Sequence, residues 1–247
     1  MVGPALTPEV MSVQIPYFPE ASHEIVQQLA PLSDRDLVHH FKADPTAGRY
    51  FTTIFCRYSP IVYSLIRHSA RSPVQADYLF ALTWRHILNE LGGLELPAEE
   101  PTPEHGAQPV TSLQSWLINL TALCINQAVL PEVEEIHYVL AEASPPLWCY
   151  TERALNQLEP IERLIIIMAQ TFRWSDTRIA AYLQAEGEQI TPVAVASRLR
   201  IACRHLAEAL PEDIRQIYLP TAPTSPSEAV RVPELAAASP ESLTSMV

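Results

Sequence analysis

Apolar residues along this chain recur three and four positions apart rather than alternately, which is helical and not strand spacing. The pattern predicts helices over 34–43, 47–69, 74–91 and 112–130. Ser33 with Asp36 three residues later reads as a helix start. Ser59-Pro60 reads as a break inside the second helix, and Gly92-Gly93 as the stop of the third. A second helical block covers 148–219. Within it, 175–183 reads as one helix, and another opens at Thr191-Pro192 and runs through Leu206. Thr191 suits an N-cap, and Pro192 suits the first helical position, where no N–H is needed. Val195, Leu199, Ala202 and Leu206 form a single apolar stripe, with Arg198, Arg200 and Arg204 largely off it. The predicted fold class is all-α.

Composition divides the chain. Residues 1–24 are proline-containing and aperiodic and read as a flexible arm. Residues 25–130 read as a first helical domain, with a proline- and glutamate-rich loop over 92–111. Residues 131–147 read as an acidic linker, 148–219 as a second domain, and 220–247, rich in Pro, Ser, Thr and Ala, as a disordered tail. Net charge is −12, and no Lys or Arg occurs between Arg85 and Arg153. Such a balance disfavours loose, non-specific attraction to nucleic acid. The acidic stretch is either a solvated loop system or an anionic surface that docks to a basic partner.

The chemistry of catalysis is missing from the pattern. Cys56, Cys124, Cys149 and Cys203 are widely spaced, so neither a zinc knuckle nor a redox pair is expected. His39 and His40 are adjacent and do not share a helix face, so no metal site is expected there. No glycine-rich phosphate loop and no nucleophile context is present. The expectation is a protein without cofactor or metal and without enzymatic activity. No leader or membrane span is read, which together with the cysteines suggests a cytoplasmic protein.

The segment 174–210 points to DNA. Two helices joined by a loop, the second capped, apolar on its back and carrying arginines elsewhere, suit a helix-turn-helix whose second helix enters the major groove. Thr191, Ala194 and Ser197 lie on its first turns, and Arg198, Arg200 and Arg204 follow as candidate phosphate or base contacts. The plainer reading is a solvated surface helix with arginines paired to residues such as Glu208.

These residues carry a resemblance. Ala154-Leu155-Asn156-Gln157-Leu158-Glu159-Pro160-Ile161-Glu162-Arg163, followed by the two helices, resembles the promoter-binding region 4 of sigma-70 family factors of the extracytoplasmic-function type. Asp34-Arg35-Asp36-Leu37-Val38 and the stretch from Phe51 through Arg57-Tyr58-Ser59-Pro60 to Tyr63 resemble the opening helices of region 2. Ala76-Asp77 and Arg85 resemble its polymerase-docking helix. Ser115-Trp116-Leu117-Ile118 resembles the start of the helix that reads the promoter −10 element. The resemblance covers about 33–91, 112–130 and 148–210. It implies two helical domains joined by the acidic linker, one region 2-like and one region 4-like. It implies RNA polymerase core, promoter DNA and an anti-sigma factor as partners. It also implies core contacts at Arg57, Tyr58, Asp77 and Arg85, and DNA contacts at Trp116 and Asn119.

The chain departs from the family at several positions. Phe80 stands where a glutamine is usual, and Ala196 where a lysine is frequent. The helix after Trp116 has lost its basic residues, and the turn is lengthened by residues 184–189, which include Glu186 and Glu188. A degenerate, region 2-defective sigma-like regulator is therefore the second reading. An ordinary helix-turn-helix regulator and an interaction scaffold follow it. The four core-contact candidates have intradomain pairing as their alternative, and Trp116 has core packing.

Overall fold

A computed structural model describes residues 15–97 and 112–219. Residues 1–14 of the expected arm, 98–111 of the expected loop and the 220–247 tail lie outside these described residues. The described chain is helical, with no strand: α1 (Glu24–Leu29), α2 (Asp34–Ala43), α3 (Gly48–Ser69), α4 (Pro73–Glu90), α5 (Leu113–Gln127), α6 (Pro145–Gln157), α7 (Pro160–Ile166), α8 (Asp176–Ala185), α9 (Pro192–Ala209) and α10 (Glu212–Tyr218). None of the described helices is long and apolar enough to cross a membrane.

Hydroxyl caps set half of the helix starts. Ser33, Ser72, Ser112, Ser175 and Thr191 each accept the backbone N–H three residues on, which satisfies a donor that would otherwise be lost at the helix end. Helix α3 begins after Ala47, which has no capping side chain. Its cap comes from far along the chain. The Asp213 carboxylate accepts the backbone N–H of Gly48 at 3.2 Å and that of Arg49 at 2.9 Å. Ile214 packs against Gly48 so closely that a Cβ there would lie 2.3 Å from the Ile214 side chain. The glycine is thus required by the close approach of α10.

The break expected near Ser59-Pro60 does not occur, and α3 runs unbroken through Pro60. A proline inside a helix removes one backbone bond. Phe55, Tyr58, Val62, Tyr63 and Ile66, all buried on the same flank, hold the helix across the gap.

The core of the bundle is aromatic. Trp84 is fully buried, with Phe55 at 5.0 Å, Phe51 at 5.8 Å and Phe80 at 6.2 Å, in edge-on geometries. Phe18 extends this cluster, edge-on to Phe55 at 4.8 Å and stacked on Phe80 at 5.9 Å. Residues 15–24, read from sequence as flexible, therefore hold a buried anchor. Phe80 belongs to the same cluster, so a polar glutamine in its place would have to be desolvated.

One continuous apolar core extends from Phe18 to Ile214. The stretch read as a linker contributes to it. Tyr138 and Leu140 are buried, and Pro145-Pro146, expected to close that stretch, instead opens α6 at its first two positions. Helix α6 packs on α3, α4 and α9, and Arg85 of α4 bonds Glu152 of α6 at 3.2 Å. At the end of the described chain, the Tyr218 hydroxyl donates to Glu20 at 3.1 Å and the Ser144 hydroxyl donates to Tyr218 at 3.3 Å. A second, smaller core lies between α7, α8 and the start of α9, formed by Ile165, Met168, Ile179, Ala180, Leu183, Ile190 and Val195.

The Asp213 cap makes a prediction. Replacing Asp213 with Ala should destabilise the fold by about 1–2 kcal/mol, the usual cost of losing a helix cap, and Asp213→Asn, which keeps one acceptor, should cost less. Denaturant unfolding of the three proteins checks this; equal midpoints would remove the α3–α10 contact from the sources of stability.

Candidate nucleic-acid interface

The region 174–210 folds as two helices on a shared core. Helix α7 runs into a π turn, Ile167–Thr171, and the chain leaves it through Arg173 at φ 52°. That left-handed step is uncommon outside glycine. Trp174 lies next to Phe172 and Tyr182, at 6.0 and 5.9 Å, and the Arg178 guanidinium sits 4.1 Å over its ring. Phe172 and Tyr182 are exposed. Sequence reasoning missed this aromatic and arginine group; its signal, Trp174 and Arg178 four residues apart across a helix start, was present.

The lengthened turn is ordered by its own backbone. Glu186 N–H donates to Tyr182, Gly187 N–H to Gln184 and Glu188 N–H to Leu183, with Gly187 at φ +96° supplying the left-handed residue. The Gln184 side chain then donates to the Ile190 carbonyl at 2.6 Å, closing the turn, and Ile190 drops into the small core. Glu186 and Glu188 remain exposed.

Helix α9 joins the two cores. Val195 is buried in the small one, and Ala202 and Leu206 are buried in the large one. Thr191, the N-cap, is exposed and accepts the Ala194 N–H at 3.2 Å. Ala194 is half-buried against the small core, and Ser197 is half-buried. Arg198, Arg200 and Arg204 are exposed and make no side-chain hydrogen bond or ion pair among the described residues. The basic side chains nearby differ. Arg163 donates to Asn156 at 3.2 Å, and His205 lies 3.0 Å from Glu162. At the start of the helix Val193 is 81% exposed. The sequence reading did not single it out, because only its place off the apolar stripe sets it apart.

The four candidates for core contact are all engaged inside the chain. Arg57 donates to Asp34 at 2.5 Å and to the Ala30 and Leu32 carbonyls at 2.9 and 2.8 Å, fastening the α1–α2 turn to α3. The Tyr58 hydroxyl donates to the same Asp34, and burial with that carboxylate pushes its pKa up. Asp77 accepts the Tyr63 hydroxyl at 2.9 Å, and burial raises its pKa. Arg85 bonds Glu152 and lies 5.4 Å from the Trp148 ring centroid. Trp116 is half-buried against the large core, and Asn119 is exposed.

Helix α5 presents Leu113, Leu117, Thr121 and Cys124 to the core. Its exposed positions are Gln114, Ser115, Asn119, Ala122, Leu123, Asn126 and Gln127, none of them charged. Such a face can hydrogen-bond bases but offers no cation to a phosphate.

Elsewhere the geometry offers little reactive chemistry. Among the described residues no group of three His, Cys, Asp or Glu side chains is placed to hold a metal ion. The four cysteines are unpaired, and burial pushes their thiols up, away from the reactive thiolate. A cleft of about 490 Å³ lies beside the Asp213 cap, where Arg49 and Arg153 share its walls with Asp44, Glu212 and Asp213. No family model, curated protein or solved structure matches the chain.

Asp77 gives a pH prediction. Its pKa is raised in the fold by burial, so only between the unfolded and the folded value does the folded state hold a proton that the unfolded chain has released. Its effect is unfavourable above the folded pKa and fades as pH falls through that value towards the unfolded one. Asp77→Asn, which keeps an acceptor for Tyr63, should therefore stabilise the protein at neutral pH and lose that advantage in mild acid. A stability difference independent of pH would rule out the burial effect.

Proposed function

We propose that this chain is a sigma-like transcription factor that contacts promoter DNA through α9 and docks on RNA polymerase core through residues 33–91, as two functional units linked through 131–147. The observation that carries the reading is the outer surface of α9. It is a capped helix seated on α8, with three exposed arginines that have no partner within the described chain. Arginine forks match phosphate oxygens and guanine edges. An acidic chain tolerates this role if polymerase tethers it, because tethering raises the effective concentration of the second contact. The unpaired Arg198, Arg200 and Arg204 also set α9 apart from Arg57 and Arg85, which are held in internal pairs.

A second reading is favoured by α5. Its uncharged outer face and the internal engagement of Arg57, Tyr58, Asp77 and Arg85 fit a sigma-like regulator that binds polymerase, or a partner such as an anti-sigma factor, without opening promoters.

Run-off transcription with purified polymerase core and a genomic fragment library separates the two. Defined start sites support the first reading. Core association without start sites supports the second, and absence of both defeats both. Under the first reading, Arg200→Ala and Arg204→Ala should each weaken promoter binding by the complex and lower the slope of log affinity against log salt by about 1. Unchanged slopes in both variants would take α9 off the DNA.

A further inference from the structure

Helix α9 has an outward ridge. At 100° per residue, Val193, Ser197, Arg200 and Arg204 fall within about 60° of arc, opposite the buried Val195, Ala202 and Leu206. Ala194 is turned towards the small core, and Arg198 lies on the flank between ridge and core. Along the ridge the chemistry changes from apolar to cationic. Val193 lies one position after Pro192, at the end of the helix that reaches deepest in a helix-turn-helix complex. Arg204 is eleven residues further on, about 16 Å along the axis, where phosphates rather than base edges are in reach.

From this we infer that Val193 is a specificity-determining residue and that it reads the C5-methyl group of a thymine in the major groove. The inference rests on α9 being a DNA-contacting helix. Among base-edge features in that groove the thymine methyl is the apolar one, and it is met by apolar side chains. Val193 is fit for this in three ways. It is 81% exposed, so it makes little packing contribution of its own. It is β-branched, so its methyl groups project in a fixed rotamer. It follows Thr191 and Pro192, a capped start with fixed backbone angles. No other apolar side chain lies within that arc. The nearest are Ala207 and Ala196 on one side, both half-buried, and Ile201 on the other, 39% exposed and two turns further from the helix start. Ser197, next on the ridge, can bond any base edge and supplies no choice of its own.

The test uses the full chain, free and bound to RNA polymerase core, with a random-sequence duplex library. The bound duplexes define the site, and each thymine in it is then replaced singly by uracil, which removes only the methyl group. For the wild-type protein, uracil at one position should weaken binding about fourfold, the value of one buried methyl group. That difference should vanish in Val193→Ala and persist in Val193→Thr, which keeps one methyl group in the same branched shape. A site without thymine dependence, or a dependence that Val193→Ala retains, overturns the inference while leaving α9 on DNA. Failure to enrich any duplex in either form overturns the DNA reading and this inference with it. Circular dichroism of Val193→Ala confirms that a lost difference is not lost folding.

Discussion

The carboxylate of Asp213 at the start of α3 is the contact on which the arrangement of this chain depends. A 22-residue helix needs its first N–H groups satisfied, and Ala47 cannot do it. The acceptor arrives from the other end of the described chain, and only because Gly48 lets Ile214 approach. Cap, glycine and isoleucine are therefore one device. The helix dipole adds to it, since a negative group at a helix N-terminus is favourable. Asp213 is buried with Ile214, so the pairing is less screened than a surface contact. With α10 fixed there, Tyr218 meets Glu20 and Ser144, and three segments distant in sequence are closed against one another.

That closure bears on how two units could act. Helix α9 carries Val195 in the small core and Ala202 and Leu206 in the large one. The pair α8 and α9 is therefore held to the bundle by the helix that, in the proposed reading, contacts DNA. A sigma-like protein whose two units engaged separate promoter elements would have to expose Leu206, Leu210 and Ile214. Each buried side chain of this kind contributes about 1.5–3 kcal/mol. Separation would thus be unfavourable by several kcal/mol for the free chain, and polymerase and promoter contacts would have to offset it.

Much of the fold was legible in the sequence because its signals are local. Ser33 and Thr191 each announced a helix that begins at the next residue. The stripe Val195, Leu199, Ala202, Leu206 announced which side of α9 is covered. What was not legible depends on distant contacts. Nothing near Ala47 reveals a cap supplied by residue 213. Phe18 sits among prolines and reads as part of an arm until Phe55 and Phe80 are seen around it. Pro60 reads as a break because a proline's local cost is visible and the tertiary packing that outweighs it is not. Pro145-Pro146 carries the same ambiguity, since proline ends one element and starts the next. In the candidate site, the sequence found the cap and the arginines but not Val193, whose significance lies in its exposure.

Arginine pairing also decides where function can reside. Arg57 and Arg85 have the right residue type for a partner surface, yet each already has a carboxylate and further contacts, so recruiting either would require breaking an internal pair whose partner would be left half-buried. Arg198, Arg200 and Arg204 require no such exchange, because water is what a phosphate would displace. Arg57 and Arg85 hold the bundle together through internal pairs, Arg71 between α3 and α4 is exposed without a pair among the described residues, and α9 leaves Arg198, Arg200 and Arg204 on the surface. A protein of net charge −12 thus keeps a cationic helix face that its own carboxylates do not pair, which is the property the proposed contact with DNA requires.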